Sequence, residues 1–334
     1  MSGPLIIPIF IPHEGCPHRC LFCNQRQISG TGGPPVNAAA VQAEILRWLA
    51  RTNAASRPTQ IAFYGGSFTA LPRSRQEELL TAAAPFLQSG QVRSLRLSTR
   101  PDCMDAEQAA FLKAYHVATV ELGAQSMNDK VLAIARRGHV AADTERAVAA
   151  LRQAGLEVGI QLLLGLPGDS TSSLRQTLAQ VLALRPDFVR LYPLLVLRGS
   201  GLADLHENHS YRPLSLGKAV VLAAFMKERL EQAGIRVVRI GLQAGTELEA
   251  ALLAGPWHPA FGELISSRLM LRQTRKLLAQ AAAGHVALRI NPRDQSVFRG
   301  LKSFNINRLK QLGLWRRISL QTSPEQPRGT IAIA

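Results

Sequence analysis

Two patterns of hydrophobic and polar positions alternate along most of this 334-residue chain. Short runs rich in Val, Ile, Leu and Phe recur, and longer stretches with apolar residues every three or four positions separate them. The short runs predict strands of a parallel sheet, and the longer stretches predict the helices between them. The strands are predicted near Leu5–Ile11, Gln60–Tyr64, Val92–Thr99, Val117–Gly123, Glu157–Leu164, Asp187–Leu191 and Arg236–Ile240.

Six amphipathic stretches predict the connecting helices, and several of them end at Gly or Pro, as helices commonly do. Strand-helix units joined by right-handed crossovers curl into an open barrel. The predicted fold class is therefore α/β, a partial (β/α)6 barrel. The helices are predicted at Val36–Ala50, Pro72–Leu87, Ala106–Ala114, Val140–Ala154, Ser170–Leu184 and Ser215–Ala233.

A shift in composition near Gly255 predicts a domain boundary. Residues 1–254 form the barrel in this interpretation, and residues 255–334 form a small basic α+β extension. The extension is predicted to contain short helices around Phe261–Gln280, followed by strand-like pieces at His285–Asn291, Ile318–Thr322 and Thr330–Ala334.

The formal charge of +16 is concentrated in this extension, where 13 Lys or Arg residues face 3 Asp or Glu. Such an excess on one segment is typical of a surface that binds phosphate backbones, which makes RNA a candidate partner. The alternative is a solvated basic face, because Arg greatly outnumbers Lys throughout the chain.

The chain carries no predicted membrane segment. The apolar stretch Pro4–Pro12 lacks a basic leader and a small-residue cleavage site, so it predicts a first strand instead of a signal peptide. No run of about 18 apolar residues occurs. Four cysteines, three of them close together, suit a reducing compartment, and we expect a cytoplasmic protein.

The three clustered cysteines, Cys16, Cys20 and Cys23, have the spacing C-x3-C-x2-C. A 4Fe–4S cluster takes four ligands, so three thiolates leave one iron open to a small molecule. The alternative is a structural zinc site in which His13 or His18 is the fourth ligand. Zinc modules usually bring a second ligand pair downstream, and the sequence contains none.

This spacing, with an aromatic residue before the last cysteine, resembles the signature of radical S-adenosylmethionine (SAM) enzymes. The resemblance implies that SAM fills the open iron position and that an electron from a donor partner cleaves it to a 5'-deoxyadenosyl radical. The segment after the second strand resembles the glycine pair of that family, which binds the SAM amino group. Gly65, Gly66 and Ser67 carry that role by resemblance.

Further segments resemble the Elongator catalytic subunit branch of this family; they are Ser98–Asp102, Val120–Ser126, Arg137–His139, Leu164–Gly168 and Arg190–Gly199. The resemblance implies that Ser98, Gln125 and Arg190 lie around the SAM ribose, carboxylate and adenine, and that Tyr192 faces the reaction chamber. The best-known members modify the wobble uridine of tRNA with acetyl-coenzyme A.

The chain departs from that branch in two respects. Its first two cluster cysteines are closer together than in Elongator members, and only about 70 residues follow the Gly255–Gly262 segment, which is short for an acetyltransferase domain. We therefore expect a radical SAM domain without that acetyltransferase domain.

Other residues allow two interpretations. Cys103 follows the third strand, where a thiol can donate a hydrogen atom to a substrate radical or be an ordinary loop residue. Glu121 is either paired with a basic residue in the barrel lumen or at the surface. The basic cluster Arg136, Arg137 and His139 either contacts phosphate or complements a helix dipole. The aromatic residues Trp257, Phe298, Phe304 and Trp315 either stack on bases or form the core of the extension.

The sequence thus supports two classes of function. The first is a radical SAM enzyme acting on RNA, with tRNA the favoured substrate, or else on a small metabolite or tetrapyrrole. The second is a non-enzymatic metal protein that is stabilised by zinc or carries electrons.

Overall fold

The computed structural model describes residues 4–11, 13–24, 36–51, 57–243, 245–282 and 284–334. The chain divides into two compact units. The first contains Met1–Leu214 and Ala233–Gly255, and the second contains Ser215–Gln232 and Pro256–Ala334. The second unit thus includes a helix that precedes the last strand of the first unit. The sequence boundary at Gly255 stays a prediction.

The first unit is built on a seven-stranded parallel sheet that curls into a half-barrel, which confirms the predicted fold class. The spatial order of the strands follows their order in the chain, as in barrels built from successive strand-helix units. The strands are β1 (Leu5–Phe10), β2 (Thr59–Tyr64), β3 (Ser94–Thr99), β4 (Val117–Gln125), β5 (Glu157–Leu164), β6 (Phe188–Pro193) and β8 (Arg236–Ile240). A short antiparallel pair, β7 (Val196–Leu197) and β9 (Leu252–Ala254), completes the unit.

Several helices of this unit start at an N-capping side chain. Asp105 accepts a hydrogen bond from the backbone N–H of Gln108 at 2.8 Å, and Ser170 accepts one from Ser173 at 3.1 Å. The helices are α1 (Ala38–Arg51), α2 (Arg73–Gln88), α3 (Ala106–Ala114), α4 (Asp129–Ile134), α5 (Ala141–Gln153), α6 (Thr171–Leu184), α7 (Gly201–Glu207) and α9 (Thr246–Ala251). The sequence analysis missed α4, α7 and α9, because one or two turns give too few residues for a visible periodicity.

The side chains of β1 show how the strands divide the core from the lumen. Leu5, Ile7 and Ile9 are buried, whereas the alternate residues Ile6, Pro8 and Phe10 line a cavity inside the half-barrel. This alternation follows from the two-residue repeat of a strand. It allows one apolar strand to support both the packing and the cavity.

The second unit has its own core and its own three-stranded sheet. It contains helix α8 (Leu216–Gln232) and four elements of the predicted extension, α10 (Phe261–Gln280), β10 (Val286–Ile290), α11 (Gln295–Arg299) and α12 (Phe304–Gln311). Strands β11 (Ile318–Thr322) and β12 (Ile331–Ile333) flank β10 on either side. The core includes Met270, Leu288, Phe298 and Leu309.

The prediction of several short helices around Phe261–Gln280 was wrong, because α10 is one helix of 20 residues. Ser and Thr weaken the helical signal in sequence, since their hydroxyls compete for backbone groups. Here the hydroxyls bond within the helix: Ser266 donates to Gly262 O at 3.0 Å and Thr274 donates to Met270 O at 2.8 Å. Among the described residues, no helix is both long and apolar enough to cross a membrane.

Candidate active site

A cavity of about 1660 Å³ occupies the lumen of the half-barrel. Pockets for single drug-sized ligands are commonly smaller, roughly 300–1,000 Å³. Every strand of the curled sheet contributes to its wall; representative residues, one per strand in chain order, are Phe10, Tyr64, Ser98, Gln125, Leu163, Tyr192 and Arg239. The lumen therefore has room for more than one small molecule.

The cysteine loop follows β1 and closes one side of this cavity, and Cys16, Cys20 and Cys23 all line it. Three backbone hydrogen bonds fix the loop from different sides. Leu21 N–H donates to Ala135 O at 3.1 Å, Leu202 N–H donates to Leu21 O at 2.7 Å, and Ser67 N–H donates to Glu14 O at 2.9 Å. The loop is thus attached to the ends of β2, α4 and α7.

The cysteines do not surround one point. Among the described residues, no three His, Cys, Asp or Glu side chains are grouped so that they could hold a single metal ion. A zinc site completed by His13 or His18 needs such a grouping. A 4Fe–4S cube does not, because each thiolate binds a different iron. Three thiolates at one wall of the cavity are the ligand set of a 4Fe–4S cluster that leaves one iron open.

Glycines allow the cysteine loop to lie directly on the loop after β2. A Cβ atom at Gly66 would lie 2.2 Å from Glu14 O, and one at Gly15 would lie 2.3 Å from Ser67 O. Gly65 has φ +103°, a conformation that other residues rarely adopt. Gly65 and Gly66 both line the cavity, and the close approach of the two loops is a physical reason for glycine at position 66.

Ser67 lies behind this surface, outside the residues that line the large cavity. Its buried hydroxyl is 3.1 Å from Thr99 Oγ1 and accepts a hydrogen bond from Arg100 N–H at 3.3 Å. In this structure the Ser67 side chain therefore joins the ends of β2 and β3.

A buried ion-pair network crosses the lumen around Glu121, whose side chain is only 3% exposed. Arg190 Nε lies 2.6 Å from Glu121 Oε2, and Arg96 Nε lies 3.5 Å from Glu121 Oε1. Tyr64 donates its hydroxyl to Glu121 Oε1 at 3.0 Å, and Arg190 donates to the Tyr192 hydroxyl at 3.2 Å. The lumen interpretation of Glu121 is thus confirmed, and predicted site residues Arg190 and Tyr192 are in direct contact.

The network holds its members in defined charge states. Burial raises the pKa of Tyr64 above its ordinary value, and the Glu121 carboxylate raises it further, so this phenol stays protonated. Burial is the largest single influence and acts to lower the pKa of Arg190, but Glu121, Tyr192 and Tyr64 together outweigh it and the pKa is raised. Arg190 is therefore a permanent cation in the lumen wall.

The other two residues assigned to SAM by resemblance, Ser98 and Gln125, also line the cavity. Gln125 is buried at the end of β4 with φ +68°, beside an irregularity in the pairing of β4 with β5. Its Oε1 accepts a hydrogen bond from Gln161 at 3.4 Å. The left-handed backbone at this position turns the chain out of the strand at the carboxyl end of the sheet.

A profile of the radical SAM superfamily matches residues 10–181, which span β1 to α6 and include the cysteine loop. This chain belongs to the radical SAM superfamily. A profile of the radical SAM C-terminal domain matches residues 186–270. Members of the superfamily bind a 4Fe–4S cluster and SAM, which are therefore the cofactors of this enzyme.

The similarity extends to the Elongator branch that the sequence motifs indicated. The chain is 25% identical over 266 residues to a tRNA uridine(34) acetyltransferase of Methanocaldococcus infernus, covering 68% of this chain and 50% of that protein. It is 29% identical over 231 residues to an uncharacterized protein of Methanocaldococcus jannaschii, covering 65% of this chain and 69% of the other. The chain thus spans about half the length of the acetyltransferase relative.

A solved structure, the archaeal M. infernus Elp3 with an N-terminal deletion, superposes with a TM-score of 0.65. The two share 21% sequence identity, and the match covers 81% of this chain and 64% of that one. At this identity the superposition establishes the shared fold alone.

Within this radical SAM fold, Arg137 occupies a position that the sequence analysis did not assign. Its buried guanidinium donates to Cys20 Sγ at 3.4 Å and to Gly123 O at 2.6 Å. Arg100 in turn donates to Arg137 O at 2.7 Å. Arg137 thus brings a buried cation into contact with one of the three clustered cysteines. Arg137 therefore contacts the cysteine loop and the end of β4, which the helix-dipole interpretation of this basic cluster did not predict.

Two histidines lie near Arg137, and they differ in exposure: His18 is exposed and His139 is buried. The His18 ring lies against Gly138, where an added Cβ atom would be 2.4 Å from it. His139 is buried, and burial lowers its pKa to about 4. His139 is therefore neutral at physiological pH, and it does not contribute to a phosphate-binding charge cluster.

Cys103 is separated from the radical SAM lumen. It lines a second cavity of about 350 Å³ together with Asp102, Asp105 and Glu107, and it lies outside the residues that line the large cavity. Burial raises the pKa of its thiol. The structure does not bring Cys103 together with Tyr192, the other predicted catalytic residue.

Proposed function

We propose that this protein modifies a base of RNA by radical SAM chemistry and that tRNA is its substrate. The observation that carries the proposal is the shared cavity, in which the cysteine loop faces a lumen large enough for both SAM and a substrate group. The similarity to tRNA uridine(34) acetyltransferases supports tRNA as the substrate class. The basic excess of residues 255–334 supports an RNA partner independently.

In this proposal Cys16, Cys20 and Cys23 hold three irons of the cluster. When bound, the cluster and SAM together supply a carbon-centred radical. Gly65, Gly66 and Ser67 form the loop beside SAM, and Ser98, Gln125 and Arg190 surround its polar groups. Glu121 holds Arg190 in the lumen wall, so its planar guanidinium has a fixed orientation toward a bound group.

Tyr192 presents its hydroxyl to the lumen and is held by Arg190. A base that is turned out of the RNA and enters the lumen would contact this side chain, because enzymes that act on a base must remove it from the stack.

The reaction requires an electron donor protein, and Arg19 and Arg136 at the cavity wall offer a positive surface for an acidic one. We place the enzyme in the cytoplasm, where tRNA occurs and where thiols stay reduced.

The proposal is tested in two steps with anaerobically reconstituted full-length protein. Under reduction, the wild-type protein should release 5'-deoxyadenosine from SAM, and a Cys20→Ala variant should not. Mass spectrometry of nucleosides from total tRNA, incubated with and without the enzyme, should then show a modified base. Absence of 5'-deoxyadenosine from cluster-loaded protein would contradict the chemistry. Release of 5'-deoxyadenosine with unchanged tRNA would contradict tRNA as the substrate and favour a small metabolite.

A further inference from the structure

The second unit exposes one aromatic side chain on a strained turn. Phe304 is 64% exposed, whereas Phe298 is buried in the core and Trp315 packs against it. Of these three aromatic residues in the extension, only Phe304 is thus available to a ligand. The neighbouring Leu301 is also exposed, at 52%.

The backbone of this turn, residues 300–304, adopts unusual conformations. Lys302 and Ser303 are consecutive non-glycine residues in the left-handed region, with φ of 50° and 58°. Gly300 has φ +73°, and a Cβ atom there would lie 2.9 Å from Ser267 Oγ. Strained backbone persists where surrounding structure enforces it, and it is concentrated at functional sites.

Asn305 enforces the shape of this turn from below. Its buried side-chain amide donates to Ser267 O at 2.9 Å and to Phe298 O at 3.1 Å. These bonds attach the start of α12 to α10 and to the end of α11. The backbone that carries Phe304 is therefore fixed, so little backbone freedom is left for a ligand to remove on binding.

Charge around the turn indicates the chemistry of the ligand. Residues 295–324 contain six Lys or Arg and no Asp or Glu. Arg299, Lys302 and Arg308 are exposed, and within the described part of the chain no carboxylate forms an ion pair with any of them. Arg308 is four residues after Phe304 on α12, which puts both on one helix face.

We propose that Phe304 is a stacking platform for an unpaired RNA base and that Arg299, Lys302 and Arg308 bind the flanking phosphates. An exposed ring accepts the face of any base, and the adjacent cations follow the backbone. This surface has two features, an exposed aromatic ring and several cations around it. Single-stranded RNA matches both, because its bases have flat faces that stack on the ring and its phosphates are negatively charged. The inference rests on the proposed RNA substrate and adds the surface that binds it.

The test measures binding of a fluorescein-labelled 12-nucleotide single-stranded RNA to full-length protein. Phe304→Ala should raise Kd roughly 5- to 150-fold without changing the salt dependence, because stacking releases no counterions. Phe304→Trp should retain the affinity. Lys302→Gln and Arg308→Gln should each reduce the slope of log K against log salt by about 0.7. The matched control is Leu301→Ala, which removes an exposed apolar side chain of the same turn and should bind as wild type.

Equal binding by Phe304→Ala and wild type, or equal losses in Phe304→Ala and Leu301→Ala, would overturn stacking. If Phe304→Ala instead abolishes self-association in sedimentation and leaves RNA binding intact, the surface is a protein contact and the inference is wrong. Unchanged tRNA modification together with unchanged binding would defeat this inference alone. If the wild-type protein binds no RNA, the proposed RNA substrate is wrong, and the inference about Phe304 fails with it.

Discussion

Arg137 lies where a single side chain can adjust the cluster. Its guanidinium bonds Cys20 Sγ, and hydrogen bonds to cluster sulfurs help to set the reduction potential. Reduction adds negative charge, which the cation stabilises. Arg137→Gln should therefore shift the potential to a more negative value in an EPR-monitored redox titration. Arg136→Gln changes the neighbouring exposed arginine and should leave the potential unchanged; equal potentials in all three proteins would remove Arg137 from this role.

Glu121 balances the lumen arginines, so its removal exposes their charges to each other. Glu121→Gln should destabilise the fold by roughly 3–5 kcal/mol, since a buried cation loses its partner. The pKa of Tyr64 should fall in the same variant, because the carboxylate no longer opposes ionisation. Denaturant unfolding and tyrosinate absorbance measure the two effects. The control is Glu247→Gln, at an exposed glutamate of the cavity wall, which should change neither the stability nor the pKa of Tyr64. An unchanged stability of Glu121→Gln would contradict the role of Glu121 in the network.

His139 makes the stability of the protein depend on pH in mild acid. Its folded pKa is about 4 against 6.5 in the unfolded chain, so the unfolded state takes up a proton first. Stability should fall as pH decreases from 6.5 to 4, by about 3 kcal/mol from this residue. A His139→Gln variant should lose correspondingly less stability over that range in parallel denaturant titrations. Identical pH profiles would show that His139 does not titrate in this way.

The cysteine loop lies against the loop after β2, which contains Gly65 and Gly66, and a substitution at Gly66 tests this contact. Gly66→Ala should displace the cysteine loop, because the new Cβ atom would lie 2.2 Å from a backbone carbonyl. Iron and sulfide content after reconstitution should therefore drop well below that of wild type. Gly217→Ala is the matched control, since its Cβ atom meets nothing within 4 Å, and it should bind a full cluster. Full cluster content in Gly66→Ala would show that the loop tolerates the displacement.

Elements differ in how clearly their sequences encode them. The seven barrel strands were predicted because each is a short apolar run bounded by turn residues, and their ends shifted by only a few residues. Helix α10 was not predicted as one element, since its hydroxyl side chains weaken its signal until they bond within the helix. Local patterns thus predicted the strands, whereas the continuity of this helix was not visible in its pattern.

For the whole molecule, motifs of adjacent residues could be predicted from the sequence, whereas contacts between distant residues could not. The cysteine spacing and the glycine pair identified the superfamily, because that chemistry is encoded in adjacent residues. The bond from Arg137 to Cys20 joins positions 117 residues apart, and no local pattern specifies such a pair. Glu121 was predicted only as one of two alternatives, and the curling of the sheet decided between them.

The attachments of the cysteine loop also make the cluster site depend on the rest of the fold. Its backbone is bonded to Ser67, Ala135 and Leu202, which are distant in sequence and come together only when the sheet has closed around them. In small zinc modules the metal nucleates a chain that is otherwise unfolded. Here the loop takes its position from contacts with the folded sheet, so unfolding of the barrel should release the cysteine loop and any cluster that it holds.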